Sequence, residues 1–129
     1  MNSKAASFSI FIFAFSIVLG AFGAHSLSKV ASLKMYNAFE TAVRYQIYIA
    51  LFTLVISVGA QYFTFRLKPY LLGLWGGLLL FSGSIYGLVI FHLLGLKASF
   101  LGPITPIGGL VMIVSAVFLG IKVLKSRTS

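Results

Sequence analysis

The sequence predicts an all-α, polytopic membrane protein: a four-transmembrane-helix bundle forming a single integral membrane domain over residues 1–129. Three observations predict it. Sixty per cent of the 129 residues are hydrophobic. Charged residues make up 9%, against about a quarter in soluble domains, which is too few to cover a water-facing surface. The apolar residues also gather into four runs, each near the ~20 residues that a helix needs to cross hydrocarbon.

The first run, residues 8–24, lies between Lys4 and His25. A basic start and an apolar middle also mark signal peptides, and Ala21-Phe22-Gly23 resembles a cleavage site. The apolar stretch 8–22 is at or beyond the upper length of a signal-peptide core, so it is read as a retained span. The second run, 45–63, precedes Arg66 and Lys68; the third is 70–94; the fourth, 107–124, is followed by Lys125 and Arg127. Arg66-Leu67-Lys68-Pro69 reads as a tight polar turn between the second and third spans.

Residues 25–44 are longer and mixed. Leu27, Val30, Leu33 and Tyr36 recur every three residues, which predicts a short interfacial helix between the first two spans. Asn37 and Glu40 then match a capping side chain with an acid three residues on. That pattern starts the second transmembrane helix near Asn37.

The basic residues set an orientation. With four spans, Lys4, Arg66, Lys68, Lys122, Lys125 and Arg127 share one side, and Lys29, Lys34, Arg44 and Lys97 the other. The positive-inside bias predicts both termini in the cytoplasm, in a cell (inner or plasma) membrane. The net charge of +9 is scattered between apolar runs. It suits anionic headgroups better than nucleic acid, which calls for one basic patch or stripe. Membrane lipids are thus the expected partners, with a second copy or other membrane proteins as further ones. The chain has no cysteine, and His25 and His92 are far apart without a nearby acid. Thiol chemistry is excluded, and neither a metal nor another cofactor is expected.

Helices in lipid associate where small residues let backbones approach. The first span offers Ser16, Gly20 and Ala24. The third offers Gly73 and Gly77, then Gly83 and Gly87. The fourth offers Gly108, Ala116 and Gly120, with Met112 interrupting the stripe. Packing within one chain is the favoured reading of these stripes, and self-association the competing one.

Ionisable groups in membranes often mark pathways. Glu40 and Arg44 stand four apart, on one helix face, and His25 falls at the same membrane face. Gln46 and Tyr86 are deeper, where polar atoms need partners. His25, Glu40, Arg44, Gln46 and Tyr86 form the candidate polar cluster. The favoured reading is structural: Glu40 caps the second helix and pairs with Arg44 at the interface, and interhelical hydrogen bonds account for Gln46 and Tyr86; a proton or ion relay is the competing one. In Gly102-Pro103-Ile104-Thr105-Pro106-Ile107-Gly108-Gly109, Thr105 suits a helix cap and Pro106 the first helical position. Thr105, Pro106 and Gly108 are therefore a candidate lipid-headgroup or helix-cap site.

Gly20-Ala21-Phe22-Gly23-Ala24-His25, Thr41-Ala42-Val43-Arg44-Tyr45-Gln46, Ser82-Gly83-Ser84-Ile85-Tyr86 and the 102–110 string follow one another in order. Together they resemble the YgdD-like family, uncharacterised small bacterial membrane proteins with eukaryotic relatives. The resemblance implies a four-span inner-membrane protein without an established activity. It also implies that His25, residues 44–46 and residues 102–109 are signature positions. Ile49 stands where the family pattern has a histidine, and Ser115-Ala116 where it has Gly-Trp. The first departure weakens a relay built on paired histidines.

No paired base and nucleophile is visible, so the leading expectation is a non-enzymatic structural or envelope-supporting component. The alternative is a small transporter, channel or lipid-handling protein, which requires a hydrated cavity joining at least three of the cluster side chains.

Overall fold

The computed structural model describes residues 1–126 and contains four long helices. Arg127, counted above in the charge bias, lies outside the described residues. Helix α1 is Ser3–Phe22, α2 is Leu33–Val58, α3 is Lys68–Leu93 and α4 is Ile104–Ser126. At 1.5 Å per residue the 26 residues of α2 and of α3 extend about 39 Å, more than the ~30 Å of bilayer hydrocarbon. The chain is a membrane protein with four helices long and apolar enough to span.

The helix starts follow local capping chemistry. Asn2 caps α1 by accepting a hydrogen bond from the Ala5 N–H at 3.1 Å. Ser32 caps α2 by accepting from the Met35 N–H at 3.2 Å, so α2 begins four residues before Asn37. Asn37 and Glu40 lie inside the helix and form no cap. Pro69 occupies the first turn of α3, where its missing N–H costs nothing. After α3 the chain turns at Gly95, whose φ of 75° is easiest for glycine.

The predicted interfacial helix between the first two spans is not a separate element. Beyond Phe22, α1 winds on through a π turn, Gly23–Leu27, and a last turn, Ser28–Val30. Extended backbone at Ala31 and Ser32 then breaks it. The three-residue spacing fails because its members belong to two helices. Leu27 is fully buried, whereas Leu33 is 75% exposed.

The helices pack in chain order, α1 on α2, α2 on α3 and α3 on α4. Two apolar clusters hold the ends. Near the face carrying the N-terminus, Ala5, Ile56, Leu71, Leu74 and Leu119 bring all four helices together. Near the other, Leu27 packs with Phe39, Ala42, Val43, Ile85 and Val89.

Small residues set the closest contact, between α3 and α4. A Cβ on Gly108 would collide with Phe81 N and lie 2.6 Å from Gly77 O. A Cβ on Gly77 would lie 2.6 Å from Met112 Cγ, and one on Gly73 would collide with the Ser115 side chain. The packed stripe of α4 is thus Gly108, Met112, Ser115 and Leu119. Met112 does not interrupt it, because its flexible side chain fills the space that Gly77 leaves open. Ala116 and Gly120 face outward, as does Ala24 on the π turn.

Gly108→Ala should therefore destabilise the bundle by ~1–3 kcal/mol, read as an earlier unfolding midpoint in mixed micelles. Gly120→Ala meets nothing within 4 Å and should leave the midpoint unchanged or raise it.

Candidate functional site

The structure joins two members of the candidate polar cluster directly. Gln46 is buried on α2. Its Oε1 accepts a 2.7 Å hydrogen bond from the Tyr86 hydroxyl on α3, and its Nε2 donates to Ile12 O on α1 at 3.4 Å. One amide thus ties three helices. The Tyr86 ring lies 5.3 Å from that of Phe39, which fixes the phenol over α2.

The other three members lie apart from this bond. His25 is exposed on the π turn, and Arg44 is exposed on α2. Glu40 is half-buried, and its Oε1 points at the π turn, 3.2 Å from where a Cβ on Gly23 would stand. This oxygen is buried without a hydrogen-bond partner, so the expected pairing with Arg44 does not reach it. Gly23 has a plain function here: a side chain at that position would strike Phe39 and crowd Glu40.

Thr105 falls in the first turn of α4, not before it. It does not cap the helix as expected; its hydroxyl hydrogen-bonds to Ser84 of α3. Pro106 is exposed, and Gly108 is the point of closest approach to α3. Thr105 and Gly108 thus belong to the α3–α4 contact.

Sequence reasoning missed a second polar tie. Ser9 on α1 and Thr53 on α2 are hydrogen-bonded at 2.8 Å, and the Trp75 indole N–H of α3 donates to the same Thr53 hydroxyl at 3.3 Å. Ser82 of α3 donates to Ala42 O at 2.8 Å. The signal was present in Ser9, Ser16 and Gly23, which recur every seven residues and are all buried.

Because α1 and α3 both lie on α2, a cleft of about 510 Å3 remains between them. Phe8, Ile12 and Phe15 line one wall, Leu72 and Leu79 the other. Gln46, Ser82 and Tyr86 border it through side chains already bonded to protein. Of the five cluster residues, the cleft touches Gln46 and Tyr86 alone.

Four apolar helices joined by buried amide and hydroxyl ties define a small polytopic membrane protein. The model for a protein family of unknown function, DUF423, matches residues 19–109, and the chain belongs to that family. A UPF0382 membrane protein of Schizosaccharomyces pombe is 39% identical over 99 residues, covering 76% of this chain and 82% of that one. One from Staphylococcus haemolyticus is 38% identical over 112 residues, covering 85% and 86%. The UPF0382 membrane protein YwdK of Bacillus subtilis is 33% identical over 112 residues, covering 85% and 87%. These relatives bear out an uncharacterised membrane family with a eukaryotic branch, though none of the three carries the YgdD label. No solved structure matches the chain.

The Gln46–Tyr86 bond predicts a measurable coupling. Tyr86→Phe leaves Gln46 Oε1 without its donor and should cost ~0.5–1.7 kcal/mol, the range for interhelical hydrogen bonds in membranes. Adding Gln46→Leu should recover part of that loss, as a double-mutant cycle in mixed micelles would show.

Proposed function

We propose that the chain is a non-enzymatic structural component of its membrane, supporting the envelope or a complex of membrane proteins within it. The observation that carries this reading is where the interior polar groups go. The Ser9–Thr53–Trp75, Gln46–Tyr86, Ser82–Ala42 and Ser84–Thr105 bonds all join one helix to another. Their role is cohesion, since a polar group in hydrocarbon is costly until it is paired.

The competing reading, a transporter, channel or lipid-handling protein using the polar cluster, needs a hydrated cavity joining at least three of its members. Two of the five border the cleft, and both are already hydrogen-bonded to protein. Glu40 is the one carboxylate side chain of the chain. A proton or ion path would have no second carboxylate side chain along it.

The charge bias places both termini on the cytoplasmic side of the inner or plasma membrane in this reading. Accessibility labelling of cysteines introduced at Lys4 and Lys97 checks that orientation. Purified protein in proteoliposomes should give the same ion and lipid fluxes with Glu40 and with Glu40→Gln. A flux present in the wild type and lost in the mutant would contradict the structural role.

A further inference from the structure

The cleft between α1 and α3 does not end at Trp75. A second cavity, about 280 Å3, continues past the same Phe8, Leu72 and Trp75 to Asn2, Lys4 and Lys68 at the membrane face. The Phe8 and Trp75 rings meet edge-on at their shared border, 4.7 Å between centroids, and because Phe8 and Leu72 are exposed the two cavities join along the lipid side into one slot. Its inner part lies at hydrocarbon depth and stops at the Gln46–Tyr86 bond, and its mouth is cationic.

We propose that this slot binds an anionic phospholipid, with one acyl chain in the inner cavity and the phosphate between Lys4 and Lys68. The inner part suits an acyl chain because it is apolar and closed to competing hydrogen bonds. Its Gln46, Tyr86 and Ser82 polar atoms are already bonded to protein. Its floor is low, since a Cβ on Gly76 would meet nothing within 4 Å. Its walls at Phe15, Leu72 and Leu79 are exposed, so a chain slides in sideways from the bilayer. The volume of about 510 Å3 lies within the ordinary range of small-molecule sites.

Charge selects the headgroup. Glu40, the chain's one carboxylate side chain, lies toward the opposite face, so Lys4 and Lys68 have no acidic side chain beside them. A phosphate supplies a counter-charge there, as in basic pockets between transmembrane helices generally. The positive ends of the α1 and α3 dipoles point the same way. A second copy of this chain in the same orientation would bring its own Lys4 and Lys68 to that face, so charge disfavours it as the occupant. The proposal stands apart from the structural role above, and either can fail alone.

Trp75 is the chain's one tryptophan and borders both cavities, which makes it the reporter. The full chain is reconstituted in phosphatidylcholine vesicles, and phosphatidylglycerol or phosphatidylcholine with brominated acyl chains is added at rising mole fraction. Brominated phosphatidylglycerol should half-quench Trp75 at a several-fold lower mole fraction than brominated phosphatidylcholine. Lys4→Gln/Lys68→Gln should abolish that preference, and Lys97→Gln at the other face should keep it. Gly76→Leu fills the slot without touching a helix contact, so it should lower maximal quenching by both lipids while the unfolding midpoint holds. Equal quenching by the two lipids in the wild type would overturn the proposal. So would a preference that survives the double lysine substitution, or a Trp75 shielded from both lipids, the sign of a second copy in the slot.

Discussion

The crossing of α3 and α4 at Gly77 and Gly108 governs how every other face of α3 is used. Lipid tails are as apolar as leucine, so burial gives these helices little reason to associate. Close backbone contact supplies dispersion attraction instead, and it demands residues without a Cβ at the crossing. Gly73 and Gly77 meet that demand on α3, with Phe81 and Ser84 on the same side. Roughly a quarter-turn further round, at 3.6 residues per turn, Leu74, Leu78, Ser82, Ile85 and Val89 are buried. Ser82 and its apolar neighbours there meet α2. Roughly a third of a turn beyond these lie Leu72, Gly76, Leu79 and Gly83, which are left to line the open cleft.

Helix α2 is the other half of the arrangement. It receives α1 through Ser9–Thr53 and Ile12–Gln46, and α3 through Thr53–Trp75, Ala42–Ser82 and Gln46–Tyr86. Each bond is modest, about 0.6 kcal/mol on average in membrane proteins. Their direction matters more than their sum. A hydrogen bond weakens steeply when misaligned, so it favours one rotation and register where apolar packing alone would allow slippage. The cleft follows from this, because two helices seated on one side of α2 leave a furrow between them.

The spans were legible because hydropathy averages over many residues and tolerates local error. Helix starts were less so. Asn37 and Glu40 mimic a capping box, yet Ser32 sits next to the extended backbone that separates the helices, and that break decides where α2 begins. Met112 looked like an interruption because residue size was read without its partner; opposite Gly77 a larger side chain is required. The polar cluster was legible in part. Gln46 and Tyr86 were found because amide and phenol groups deep in a span must have partners. His25, Glu40 and Arg44 share a membrane face with one another, but sharing a face says nothing about rotation around the helix axes, and His25 and Arg44 turn outward. The Trp75 tie and the cleft depend on that rotation, which no stretch of sequence states by itself.

The arrangement of α3 between α4 and the open cleft can be read directly in native membranes, since the chain has no cysteine of its own. A Cβ on Gly73 would stand 3.0 Å from Ser115 Cβ, close to the ~3.5–4.5 Å of a disulfide. Phe15 of α1 and Leu79 of α3 both line the cleft. Mild oxidation should close a Gly73→Cys/Ser115→Cys pair within one chain and leave a Phe15→Cys/Leu79→Cys pair reduced. Ready closure across the cleft, with none between α3 and α4, would contradict the account.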